Sequence, residues 1–186
     1  MRKPENLVNV TPTFVDFEMT NLTANYGRFI CGCIKTYQKP VQTFRIDQTK
    51  AGKKCAWDDS DLVAQIRDCL EQQWFITTWN GIMFDVKFLN ARLMKHRLRA
   101  LHKPMHKDLL FTAKGTLALS DCRLVTVQEF LELEVAKTRL DCDQWIAAAA
   151  GHSPAIDYVV EHCEHDVMVL EEVFEHLLPH VKEIHA

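Results

Sequence analysis

The feature that most constrains the fold is an apolar segment, TFVDFEM, in which two acidic residues, Asp16 and Glu18, stand one position apart. Its β-branched and aromatic residues favour a strand. Side chains alternate between the two faces of a strand, so both carboxylates point one way while Val15 and Phe17 point the other. Two like charges side by side on a strand repel each other and resist burial. The folded protein must therefore place a neutralising positive charge next to these two carboxylates.

The segments that follow indicate a sheet flanked by helices. After the first strand the patterns predict three more strands, at 27–37, 41–46 and 74–79. Around MHKDLLF they predict a fifth strand or the start of a helix. Residues 51–61 have the composition of a loop, and Ser60 is the expected N-cap of the next helix. Asn80-Gly81 ends the fourth strand, and a further helix follows it.

The second half of the chain is predicted to be mainly helical. Thr126 and Glu129 fit a capping box, Gly151 closes a helix, and Ser153-Pro154 starts the last one. The last helix carries an apolar stripe from Val159 to Leu178. Strands first, then strands alternating with helices, then helices predict an α/β fold with a mixed sheet of about five strands.

Length and composition predict one domain. With 186 residues, 47% of them hydrophobic, the chain suits a single core, which we place at 13–186 after a flexible leader at 1–12. We find no signal peptide and no membrane-spanning segment. Seven cysteines without a CxxC pair predict reduced thiols and a cytoplasmic protein without membrane contact.

A basic segment lies in the middle of the chain. Residues 86–107 contain seven lysines and arginines and no acid. Such a run is often a solvated helix face, but beside a carboxylate cluster it fits a phosphate-facing surface.

Two further acids join Asp16 and Glu18 as candidates. Asp85 falls in the first turn of a predicted helix, where capping is the simpler explanation. Asp166 lies four residues after His162, so the two share a helix face next to the apolar stripe, and a plain surface pair is the alternative. If all four carboxylates converge, their repulsion requires cations. Oxygen ligands favour two Mg²⁺ or Mn²⁺ ions, which can clamp a phosphodiester between them.

Three sequence motifs, in the order in which a known family has them, support the convergence of the four acids. DFE at 16–18, NGIMFD at 80–85 and HCEHD at 162–166 resemble those of the DEDD-type, DnaQ-like 3′–5′ exonucleases, which have the ribonuclease-H-like fold. The likeness spans about 13–180. It is greatest to small predicted exonucleases of bacteria and phages that are related to the proofreading domains of family B polymerases.

The resemblance implies a role for each matched residue. Asp16, Glu18, Asp85 and Asp166 match the metal-binding acids, and His162 stands where the general base does. That position, four before the last acid, usually holds tyrosine in the family. Met19, Thr20, Asn80 and Phe84 fall where relatives contact the terminal nucleotide, although turn formation and core packing explain the last two equally well. Asp108 resembles a common family aspartate that we expect to be structural.

The sequence thus predicts a metal-dependent 3′–5′ exonuclease acting on single-stranded DNA or RNA 3′ ends, with DNA the first choice. Replication or repair proteins acting in trans are candidate partners. The alternatives are an exoribonuclease with the same site and a non-catalytic nucleic-acid-binding module of the same fold. A zinc-stabilised module using Cys31, Cys33 or the Cys163/His165 pair is a weaker one.

Overall fold

A five-stranded mixed sheet forms the centre of the protein. The structure, a computed structural model, describes residues 11–102, 104–134 and 141–181. The strands are β1 (Thr13–Met19), β2 (Phe29–Thr36), β3 (Val41–Arg45), β4 (Phe75–Thr78) and β5 (Met105–Asp108). They lie in the order β3-β2-β1-β4-β5, with the first three antiparallel and β1, β4 and β5 parallel. The predicted α/β class and strand number are confirmed.

Seven helices lie within the described residues and flank the sheet. They are α1 (Lys50–Lys54), α2 (Ser60–Leu70), α3 (Asp85–Lys95), α4 (Leu109–Thr116), α5 (Leu124–Phe130), α6 (Cys142–Ala149) and α7 (Ser153–Leu177). Short 3-10 helices follow β3 and α7, at Ile46–Gln48 and Leu178–His180. In this part of the chain no helix is long and apolar enough to cross a membrane.

The two faces of β1 pack against different helices. Phe14 points to α7, where its ring meets Phe174 edge-on at 5.5 Å. Phe17 points the other way, toward α2, and Gly32 on β2 makes that contact possible. A Cβ at Gly32 would lie 2.8 Å from the Phe17 ring and 2.9 Å from Ile66 of α2. Because Asp16 and Glu18 share the face of Phe14, they lie under α7.

In the first half of the chain, two helix starts differ from the sequence prediction. The segment 51–61 is not all loop, because α1 begins at Lys50 and the Thr49 hydroxyl accepts a hydrogen bond from the Gly52 amide. The start of α2 also differs: Asp59 precedes the helix and Ser60 is its first residue, without a side-chain cap. The Asp59 carboxylate turns inward to the core instead.

The predicted capping box is wrong. Helix α5 begins after Arg123, so Thr126 lies inside its first turn and donates a hydrogen bond to Asp121 at 2.6 Å. The last helix likewise begins one residue earlier than predicted, with His152 at the boundary and Ser153 already helical. Of the predicted leader, only residues 11 and 12 lie within the described range, and the Pro12 carbonyl accepts a hydrogen bond from Tyr37.

A buried ionic cluster around Asp59 joins α2, α3 and β2. Both carboxylate oxygens accept hydrogen bonds from Arg92, at 2.9 and 2.6 Å, and the Phe29 amide donates at 3.0 Å. His96 Nε2 lies 2.6 Å from Oδ1. Burial raises the pKa of Asp59, but the hydrogen bonds from Arg92 and Phe29 outweigh it and hold that pKa below its ordinary value.

Asp59→Asn is expected to lower the free energy of unfolding by about 3–5 kcal/mol, because it leaves the buried Arg92 guanidinium without its counter-charge. A depressed carboxyl pKa stabilises the fold above the unfolded-state value and ceases to do so as pH falls. The difference in the free energy of unfolding between the natural protein and Asp59→Asn should therefore be largest near neutral pH and should shrink below about pH 4. Urea unfolding from pH 7 to pH 3 measures it; a difference independent of pH would contradict the charge argument.

Candidate active site

Strand β1 presents the first two acids at the sheet face that α7 covers. Asp16 and Glu18 are both partly buried, whereas Val15, Phe17 and Met19 on the other face are buried. In the pairing with β2, Asp16 stands opposite Cys33 and Glu18 opposite Cys31. The backbone of β1 contacts α7 directly, since the Cys163 thiol lies 3.4 Å from the Asp16 carbonyl oxygen.

The third acid is placed by the connection between β4 and α3. Asp85 is the first residue of α3 and is only 5% exposed. Before it the chain turns at Asn80, whose φ of 66° is left-handed. The Asp108 carboxylate fixes this turn by accepting hydrogen bonds from the amides of Asn80 and Ile82, at 2.8 and 3.0 Å. Asp108 thus has the structural role expected for it.

Helix α7 brings the remaining two residues to the same place. His162 Nε2 lies 3.8 Å from a Glu18 oxygen and 3.7 Å from an Asp166 oxygen. The imidazole therefore stands between an acid of the sheet and an acid of the helix. Burial raises the pKa of Asp166 above its ordinary value, and the electrostatic effects of His162 and His165 oppose that rise.

The four carboxylates lie within electrostatic range of one another. Burial raises the pKa of Asp16 well above its ordinary value, and repulsion from Glu18, Asp166 and Asp85 raises it further. Burial, then repulsion from Asp166 and Asp85, does the same to the pKa of Glu18. Burial raises the pKa of Asp85 to about 7, although its own amide and that of Phe17 oppose the change. The structure therefore brings together acids from three separated segments.

The donor chemistry of the cluster suits a hard divalent cation. All four acids offer oxygen, and a cation would relieve the repulsion that raises their pKa values. As the side chains stand, no three His, Cys, Asp or Glu residues within 11–102, 104–134 and 141–181 are arranged to hold a metal ion.

Three thiols lie beneath the acids and form no zinc site. Cys31, Cys33 and Cys163 are fully buried, and all seven cysteines are free. Burial raises the pKa of Cys31 to about 11, so its thiol keeps its proton and packs as a small apolar group. In the described part of the chain no cysteine–histidine group is arranged for a metal either, so the zinc-stabilised alternative gains no support.

The four residues predicted to contact substrate have different surroundings. Met19 is 3% exposed and lies in the core, which leaves its side chain little surface for a nucleotide. Thr20 closes a loop, because its hydroxyl accepts a hydrogen bond from the Arg28 amide at 3.1 Å. Asn80 forms the left-handed turn described above. Phe84, partly buried, packs edge-on against Phe88 at 6.1 Å.

The loop between β1 and β2 holds two residues that the sequence analysis missed. Leu22 and Tyr26 are 81% and 74% exposed, on the segment that directly follows the acids of β1. The loop is fixed at its base by Thr20 and by Arg92, which donates to the Ala24 carbonyl at 3.2 Å. Large apolar side chains held at a rigid surface loop are a recognisable binding signal, but their exposure is not visible in the sequence.

The fold buries or pairs some cations of the basic segment and leaves others exposed. Arg92 is buried against Asp59, and Arg99 pairs with Glu71. Neither is therefore part of a phosphate-facing surface. Lys107 is buried in β5, whereas Lys87, Lys95 and Arg97 are exposed.

The sheet order and the two helical layers define an α/β protein of the ribonuclease-H-like class. The chain belongs to the RNase H superfamily, since the model of that family matches residues 13–178. The comparison with curated proteins found no significant match.

Among solved structures, the chain is similar to the family B DNA polymerase from the hyperthermophilic archaeon Pyrobaculum calidifontis. The TM-score is 0.65 at 14% sequence identity, over 89% of this chain. The chain spans about a quarter of that polymerase, 24% of its length. At this identity the likeness shows the fold alone. The family, by contrast, points to nuclease-type activity.

Proposed function

We propose that the protein is a 3′–5′ exonuclease that hydrolyses phosphodiester bonds at the 3′ ends of nucleic acids. The observation that carries the proposal is the convergence of Asp16, Glu18, Asp85 and Asp166 from three separated segments beside His162. A module that only bound nucleic acid would gain nothing from carboxylates that repel its phosphates.

The four acids would hold two divalent cations, Mg²⁺ or Mn²⁺. When bound, such ions neutralise the carboxylates and polarise the scissile phosphodiester. Nucleases of this fold generally use divalent metals.

The chain's own contribution to the reaction is made by His162. Its imidazole, within 4 Å of both Glu18 and Asp166, is placed to accept a proton from the attacking water. Water adds to the phosphorus of the terminal nucleotide and the bond to the preceding 3′ oxygen breaks. The products are a nucleoside 5′-monophosphate and a strand shortened by one, with a free 3′ hydroxyl.

The exposed loop residues complete the proposed substrate site. Tyr26 offers an aromatic face on which a base near the 3′ end can stack, and Leu22 offers an apolar edge beside it. Stacking does not depend on base identity, which suits an enzyme that removes every nucleotide in turn.

Tyr26→Ala is expected to weaken binding of a single-stranded oligonucleotide by about 5- to 100-fold, because stacking on one aromatic ring is worth about 1–3 kcal/mol per base. The turnover number at saturating substrate should change little, since Tyr26 takes no part in the proposed proton transfer. Steady-state kinetics separate the two quantities. Phe130→Ala, which removes another exposed aromatic ring, is the control; equal losses in both variants would remove the special role of Tyr26.

The proposed activity is tested with matched DNA and RNA oligonucleotides labelled at either end, with and without Mg²⁺. A ladder that shortens from the 3′ end of DNA is the expected result. Shortening of RNA alone would identify an exoribonuclease. Cleavage of a circular strand would show an endonuclease, and binding without cleavage would leave a non-catalytic module.

A further inference from the structure

An apolar groove lies between α3 and the edge of the sheet, and the proposed function does not use it. It encloses about 660 Å³ and its apolar walls come from β4, α3 and the connection to β5. Those walls are formed by Ile76, Ile82, Val86, Leu93, Leu98 and Leu101. Met94, which also lines it, is 78% exposed. We call this feature the α3 groove.

The α3 groove opens on the face of the sheet opposite to the one that carries Asp16 and Glu18. Ile76 pairs in register with Thr13 on β1, so its side chain points to the same face as Phe17. Asp16 and Glu18 point to the opposite face. A molecule bound in the groove would therefore leave the sheet face that carries Asp16 and Glu18 accessible.

Exposed positive charge lies at the groove and next to it in the chain. Lys87 lines it, and Lys95 and Arg97 adjoin the lining residues Met94 and Leu98 in the chain. In the described part of the chain none of these three cations has an acidic partner within 4.0 Å. No acid lines the groove, so its field favours a negatively charged partner.

The side chains that line the groove favour a peptide over a nucleic acid as its ligand. Single-stranded nucleic acids are held by aromatic rings on which bases stack, whereas the lining of the groove is mainly aliphatic, with Met94. The lining also includes His106, whose imidazole lies 2.8 Å from the Thr78 hydroxyl. Aliphatic grooves with exposed methionine are typical of surfaces that accept apolar anchors of a partner peptide. We propose that the α3 groove is a docking site for an acidic protein segment that inserts apolar side chains between its carboxylates.

A random-peptide phage library, selected on the full chain, tests the proposal without any nuclease measurement. The expected consensus combines acidic residues with two or more large apolar ones. The strongest binder, synthesised with a fluorescein label, is then titrated with the protein in an anisotropy assay. Met94→Glu and Lys87→Glu should each weaken binding at least about tenfold, because they place negative charge at the groove. Ile146→Glu, at an exposed apolar site on α6, should leave it unchanged.

Each result of these measurements either supports or overturns the proposed docking site. Peptides without acidic residues, or affinities that Met94→Glu and Lys87→Glu leave intact, would overturn the docking site. Loss of single-stranded oligonucleotide binding in these two variants, with peptide binding unaffected, would also overturn it and assign the groove to nucleic acid. Circular dichroism and thermal unfolding show whether the variants are folded, and the two substitutions lie at exposed positions.

Discussion

Asp16→Asn will reduce the hydrolysis of 3′-terminal nucleotides by at least about 10³-fold. Asparagine keeps the shape of the side chain but removes the negative charge that the proposed cations need. Burial and then repulsion from Glu18, Asp166 and Asp85 raise the pKa of Asp16, so its charge interacts with all three other acids. A gel assay at saturating Mg²⁺ gives the rate of both proteins, and Asp143→Asn, at an exposed acid of α6, is the control.

Thermal unfolding shows whether the same substitution acts through the cation or through the fold. Without divalent ions, Asp16→Asn removes a repelled charge and should raise Tm, by about 2–4 °C for each kcal/mol of relief. Mg²⁺ should raise the Tm of the natural protein and have less effect on the variant. An active Asp16→Asn protein would end the nuclease proposal, whereas an inactive one with a lowered Tm would show only damage to the fold.

The parts of the fold that the sequence predicted are those with strong local patterns. The alternation of TFVDFEM defined both the strand and the face that carries Asp16 and Glu18. The stripe of α7 likewise indicated which side meets the sheet, and the four-residue spacing of His162 and Asp166 put them together. In these cases one short segment contains all the information needed.

The parts that the sequence did not predict depend on contacts between distant segments. Helix α1 is short and polar. A residue outside this helix, Asp61, stabilises it by accepting a hydrogen bond from the Ala51 amide at 2.8 Å. In the sequence Arg92 belongs to a basic run predicted to be a solvated or phosphate-facing surface, because its partner, Asp59, lies 33 positions earlier. Thr126 suited a cap in sequence terms, but Asp121 competes for its hydroxyl. Local propensity cannot anticipate such partners.

His162→Ala will lower the turnover number by about 10²–10⁴-fold, the usual contribution of a positioned acid–base group. Alanine removes the proposed proton acceptor, whose Nε2 lies between oxygens of Glu18 and Asp166, and leaves all four carboxylates in place. Cation binding, measured by the Mg²⁺-induced rise in Tm, should therefore persist. This combination separates His162 from Asp16, whose loss is expected to impair both activity and the response to Mg²⁺.

His165→Ala is the matched comparison, because both histidines lie on α7 and both affect Asp166 electrostatically. They differ in that His162 also approaches a Glu18 oxygen, at 3.8 Å, and so reaches the acids of β1 as well as that of α7. A base must contact the space between these elements, where the phosphodiester would lie. We therefore expect His165→Ala to retain most of the activity. A larger loss in His165→Ala than in His162→Ala would transfer the role of base to His165, and full activity in both would leave proton transfer to water.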